Sequence, residues 1–148
     1  MDFILRLKEF YILELLQLKL YQKQVDSLED SSIRHAYDRM VELEQNHVEY
    51  YKNQLNKNGE KPPIISGGLT ELAGLAGADG LNLIDSSQSR YLVGMKVEQK
   101  AMEMYKAFIL ETWDNPEICK KLWSNMVDEE FHMLWFKERL KECEQKVH

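Results

Sequence analysis

The chain has little of what breaks or cross-links a fold: three Pro, seven Gly and two Cys in 148 residues. So few helix breakers leave room for long helices. Cys119 and Cys143 fall in one helical stretch, where a rise of 1.5 Å per residue sets them about 36 Å apart, too far to share a disulfide or a metal. No run of about 18 apolar residues is present, so no spanning helix is expected. Lys/Arg clusters are also missing, and the formal charge is -6, which argues against a nucleic-acid partner because phosphate contact needs a basic patch. The acidic second residue, and Glu14, Gln17 and Lys19 within the first apolar stretch, do not read as a secretory leader. With the separated cysteines, they give the expectation of a reduced cytoplasmic protein. What is there, 44% hydrophobic and 30% charged residues, fits a single globular domain over 1–148.

Four segments carry apolar residues at the three- and four-residue steps of a buried helix face. The first stripe is Phe3, Leu7, Phe10, Glu14, Gln17, Tyr21 and Val25; the second is Ile33, Tyr37, Met40, Glu44, His47, Tyr51 and Leu55. The third runs Tyr91, Met95, Glu98, Met102, Tyr105 and Ile109, and the fourth Ile118, Leu122, Met126, Glu129, His132, Phe136 and Leu140. Helices are therefore predicted over about 2–27, 31–58, 86–112 and 116–143, an all-α four-helix bundle. Asp30-Ser31-Ser32 is a cap for the second helix, Asp85 with Gln88 resembles a capping box for the third, and Asn115-Pro116 opens the fourth. Gly59 ends the second. Helices one and two, and three and four, are separated by a few residues and should form antiparallel hairpins. The long connection between helices two and three, about 59–85, suits a crossover, with a short helix over Gly67–Gly77.

Each stripe is apolar except near its middle. Glu14 and Tyr21 recur 84 positions on as Glu98 and Tyr105, while Glu44, His47 and Tyr51 recur 85 positions on as Glu129, His132 and Phe136. Glu44/His47 and Glu129/His132 lie three apart and so share a helix face. Four carboxylates and two imidazoles would thus point inward. Four inward carboxylates without cations, solvated or bonded to one another, would cost several kcal/mol, whereas two divalent metals satisfy them. Oxygen and imidazole donors without thiolate suit iron, with manganese possible, rather than structural zinc.

The set Glu14, Glu44-x-x-His47, Glu98 and Glu129-x-x-His132 resembles the ferritin-like di-iron carboxylate superfamily, which includes rubrerythrins, bacterioferritins and demethoxyubiquinone hydroxylases. The resemblance implies a ferritin-like bundle holding two iron ions, with Glu14 and Glu98 each chelating one, Glu44 and Glu129 bridging, and His47 and His132 as terminal ligands. Asp128, just before Glu129, is similar to an Asp that in several members bonds a ligand histidine. Tyr21, Tyr51 and Tyr105 are further candidates for bonding to the ligands; core packing is the plainer reading for them and for Tyr37. The chain lacks the paired Cys-x-x-Cys of a rubredoxin-type centre, and Met95 and Ala101 stand where rubrerythrins place an extra carboxylate near the helix-three Glu.

The expected function is a non-haem di-iron oxidoreductase, ferroxidase-like or reducing dioxygen or peroxide. The alternatives are a hydroxylase of the demethoxyubiquinone type acting on a lipid-like substrate, and a non-enzymatic iron-binding or storage protein. A homodimer is expected. Membrane contact through segment 64–84 is the less favoured reading of that apolar stretch. Trp113, Trp123 and Trp135 are expected in packing or at a dimer interface, the methionines mostly in the core, and His35 and His148 in solvent.

Overall fold

The computed structural model describes residues 2–65 and 86–147. The all-α, four-helix class expected from the sequence is what they contain: α1 (Phe3–Val25), α2 (Ser31–Lys57), α3 (Ser87–Glu111) and α4 (Pro116–Gln145). The helices form two compact units, α1 with α2 and α3 with α4, one on each side of the long connection. Among the described residues no helix is long and apolar enough to cross a membrane. The short helix expected over Gly67–Gly77, most of segment 64–84, Asp85 and His148 lie outside the described residues.

Local chemistry sets the helix ends. Asp2 accepts the Leu5 amide at 3.1 Å and opens α1. Asp30 accepts the amides of Ser32 and Ile33 at 2.8 and 3.1 Å, satisfying two donors that α2 cannot pair internally. At the other end of α2 the amide of Gly59 reaches the Asn56 carbonyl and that of Glu60 the Leu55 carbonyl. This crossed pair requires the left-handed turn that Gly59 makes at φ 74°. Ser86, not Asp85, caps α3, accepting the Ser89 amide at 3.1 Å. Asn115 caps α4 with Pro116 in its first turn, as the sequence suggests.

Cross-helix contacts fix the register of the first hairpin. Lys8 bonds Glu60 at 2.7 Å, Phe10 stacks on Tyr51 at 5.4 Å, Glu14 meets His47 at 3.2 Å, and Tyr21 meets Tyr37 edge-on at 6.0 Å. Numbers rise along α1 as they fall along α2, so the two are antiparallel. The second hairpin repeats this: Tyr91 against Trp135 at 5.8 Å, Glu98 against His132 at 3.4 Å, Tyr105 against Asn125 at 3.3 Å, and the Thr112 carbonyl accepting from Cys119 Sγ at 2.9 Å. Cys119 and Cys143 are both free thiols.

The predicted stripes are buried through their middles, with differences. On α1 the last buried position is Gln24, not Val25, and Leu13, Leu16, Leu18 and Leu20 are buried beside the stripe. Of the described methionines only Met40 and Met126 are buried; the rest are half-buried. Trp113 and Trp123 are largely exposed, at 71% and 54%, whereas Trp135 lies edge-on to Tyr91 with the Arg139 guanidinium over its ring. His35 is exposed, as expected.

One close approach separates the halves. Phe10, which covers Tyr51 in the first hairpin, corresponds in the repeat to Gly94. A Cβ at Gly94 would come within 2.5 Å of the Phe136 ring, so Phe136 lies directly on the α3 backbone.

Candidate metal centre

Each hairpin carries the same buried set near its middle. In the first, α1 supplies Glu14 while α2 supplies Glu44 and His47, three residues apart on its inward face. His47 Nδ1 lies 3.2 Å from Glu14 Oε2 and 3.4 Å from Glu44 Oε2. None of the three side chains is more than 1% exposed. Donor atoms of all three fall within 4.8 Å of one another, close enough for one cation to bridge them.

In the second hairpin α3 supplies Glu98, and α4 supplies Glu129 and His132. His132 Nδ1 lies 3.4 Å from Glu98 Oε1, and one donor atom from each of the three again falls within 4.8 Å of the others. Glu98 and Glu129 are fully buried and His132 is 4% exposed. In both hairpins, then, a carboxylate of the first helix faces the imidazole of the second.

Electrostatics follow from that crowding. Burial pushes the Glu14 carboxyl up to about 7 from an ordinary 4.5; His47 opposes the rise and Glu44 adds to it. Glu98 is raised well above the usual carboxylate range, again first by burial and then by the neighbouring Glu129, with His132 working against both. Two carboxylates and one imidazole, withdrawn from water, make a donor set with more negative charge than its imidazole can balance. Such a set can hold a divalent metal ion, and its oxygen and nitrogen donors match the hard-to-borderline cations.

The structure thus places all six sequence-predicted ligands in buried clusters, three to a hairpin. Tyr21 and Tyr51 are buried in ring contacts with Tyr37 and Phe10, and Asp128 is half-buried. Tyr105 accepts a hydrogen bond from Asn125 Nδ2 at 3.3 Å. Asn125, fully buried one turn before Glu129, escapes a search for apolar stripes because it is polar; its place on the Leu122–Glu129 face was the available signal. Gln24, 1% exposed, is a second buried amide of this kind. No protein-family model, curated protein or solved structure shows a significant match to this chain.

Proposed function

We propose that the two hairpins close on each other as one ferritin-like four-helix bundle, that their clusters join into a single two-metal carboxylate site, and that the protein is a di-iron oxidoreductase acting on dioxygen or peroxide. The observation that carries this reading is repetition: the same carboxylate, carboxylate and imidazole recur in both hairpins at matching helix levels, each set withdrawn from water. Fully deprotonated, the four carboxylates would carry four negative charges, which two divalent ions would cancel. In the proposed site Glu14, Glu44 and His47 would hold one metal, Glu98, Glu129 and His132 the other, with Glu44 and Glu129 available to both.

Ferrous ions, if bound by Glu14, Glu44, His47, Glu98, Glu129 and His132, would supply the electrons for reduction of dioxygen or peroxide. The chain's own part is to bind, orient and exclude water. Glu44 and Glu129 sit beside their histidines on rigid helix faces, so the donors are pre-positioned and little reorganisation accompanies loading. Tyr51 with Phe10, and Phe136 with Tyr91, form buried aromatic layers one turn from His47 and His132, keeping bulk water from the carboxylates. Burial and the neighbouring Glu129 raise the proton affinity of the Glu98 carboxyl, so a cation binding there would compete with protons.

Metal analysis of protein purified from its own host tests the reading. About two equivalents of iron or manganese per chain are expected. Stopped-flow absorbance after ferrous ion is added under oxygen should show ferric product forming above the buffer rate. Zinc alone, or no metal with Glu44→Ala and Glu129→Ala leaving stability unchanged, would overturn the site; two bound irons without oxidation would leave a metal-binding protein and overturn the activity.

A further inference from the structure

The side of α4 turned away from its buried face carries a second stripe: Lys120, Trp123, Val127, Phe131, Leu134 and Glu138 follow one another at steps of three or four residues. Leu122, Glu129, His132 and Phe136 occupy the opposite, buried face. Trp123, Phe131 and Leu134 are 54%, 67% and 45% exposed, and Val127 is half-buried. Four consecutive apolar positions on an outward helix face, closed at each end by a charge, make a patch of the kind that marks an interaction surface.

The order of residues along the stripe says what fits it. When the helix is laid antiparallel on a copy of itself, about a point between Asp128 and Glu129, Lys120 faces Glu138, Trp123 faces Leu134 and Val127 faces Phe131. Every charge meets its opposite and every apolar residue meets an apolar one. Sliding the copy by one turn in one direction sets Lys120 on Leu134; in the other it sets Trp123 on Glu138. A parallel arrangement puts Lys120 on Lys120 and Glu138 on Glu138. Charge complementarity therefore selects one partner, one direction and one register. Glu138 also bonds Lys141 at 2.7 Å within its own helix, one turn further along, which leaves the alternation of charge at the end of the stripe unchanged.

We propose that this stripe is the interface of a homodimer in which α4 of one protomer lies antiparallel on α4 of the other about a two-fold axis. Such an interface is isologous, so each contact occurs twice and the Lys120–Glu138 pair brackets the apolar centre at both ends. Aromatic anchors at its middle match the composition of interface cores, and the exposure of Trp123, unexplained by packing within one chain, follows from the partner it awaits.

Sedimentation equilibrium on the intact protein tests the proposal. Wild type is expected to run at twice 17.5 kDa at about 100 µM, where a micromolar Kd gives mostly dimer. Phe131→Glu, at a position already 67% exposed, should leave the circular dichroism spectrum unchanged and weaken association roughly 100-fold or more. Lys120→Glu should weaken it roughly tenfold, and the double variant Lys120→Glu/Glu138→Lys should recover most of that loss. A monomeric wild type, or a dimer indifferent to Phe131→Glu, would overturn the proposal. So would a monomer that sediments with phosphatidylcholine–phosphatidylglycerol vesicles, which would assign the stripe to a lipid surface. Loss of association on Phe131→Glu without recovery in the charge swap would overturn the antiparallel register.

Discussion

Gly94→Ala isolates the packing between α3 and α4 that holds Glu98 against His132. Alanine in place of glycine inside a helix ordinarily stabilises by about 1 kcal/mol. Here the added Cβ would stand 2.5, 2.6 and 2.7 Å from three atoms of the Phe136 ring, whereas ordinary contact begins at 3.4 Å. The ring must therefore retreat by roughly 1 Å, against Trp135 at 5.4 Å and Tyr91 at 6.4 Å between ring centres, and it is fully buried. Overpacking of this kind costs about 1–3 kcal/mol, so after the helix gain the variant should lose up to about 2 kcal/mol. For a chain of this length that lowers Tm by up to roughly 8 °C. Urea denaturation followed by far-ultraviolet circular dichroism measures the change directly. Gly94→Ala/Phe136→Leu should be less destabilised than the sum of the two single variants, because removing ring atoms makes room for the methyl. Gly94 is one turn from Glu98 and Phe136 one turn from His132, so weaker metal binding should accompany the loss. A Gly94→Ala protein more stable than wild type by about the helix increment of 1 kcal/mol would refute the packing argument.

Three further outcomes are expected. Adding manganous ion, or ferrous ion without oxygen, to metal-free protein at 100 times Kd should contribute about 2.7 kcal/mol and raise Tm by roughly 5–11 °C, and Glu44→Ala or Glu129→Ala should abolish the rise in a thermal-shift assay. The metal-free protein should also lose stability as pH increases. With Glu14 raised to about 7 in the folded state, the folded chain binds that proton more tightly, so its contribution is fully present below the unfolded value of 4.5 and is lost through about 7. Urea midpoints between about pH 5 and pH 8 should fall, and a steady climb would show that burial does not govern this carboxyl. Asp30→Ala removes the acceptor for two α2 amides and should cost about 1 kcal/mol by urea denaturation, with Asp30→Asn largely sparing it.

The four helices and the six clustered Glu and His residues were legible in the sequence because each lies on a stripe with one buried side. Glu14, Glu44, Glu98 and Glu129 interrupt apolar runs at positions where polarity has no local reason. The limits have equally local causes. Helix α1 is apolar around much of its circumference, so periodicity selects Phe10 and Tyr21 but gives no sign that Leu16, Leu18 and Leu20 are buried too. Ser86, Ser87 and Ser89 are all good caps beside Asp85, and choosing among them depends on where the backbone leaves the helix. The exposure of Trp113 and Trp123 is invisible to composition, since the same residues fill cores and interfaces. Asn125 draws no notice in the sequence, and its place in the core is evident only once Tyr105 stands across from it.

The antiparallel register has a kinetic consequence. In the first hairpin Tyr21–Tyr37 spans the shortest loop, Glu14–His47 a longer one, and Phe10–Tyr51 and Lys8–Glu60 the longest. Closing each successive contact costs little extra chain entropy once the one before it has formed, so the pair zips from its turn outward. The second hairpin does the same from Thr112–Cys119 through Tyr105–Asn125 to Glu98–His132. Each half can therefore bring its two carboxylates and its imidazole together from neighbours in sequence, early and without the other half. The crowded carboxylates lie midway along both zippers, so their mutual repulsion is met only after the contacts nearer each turn have formed.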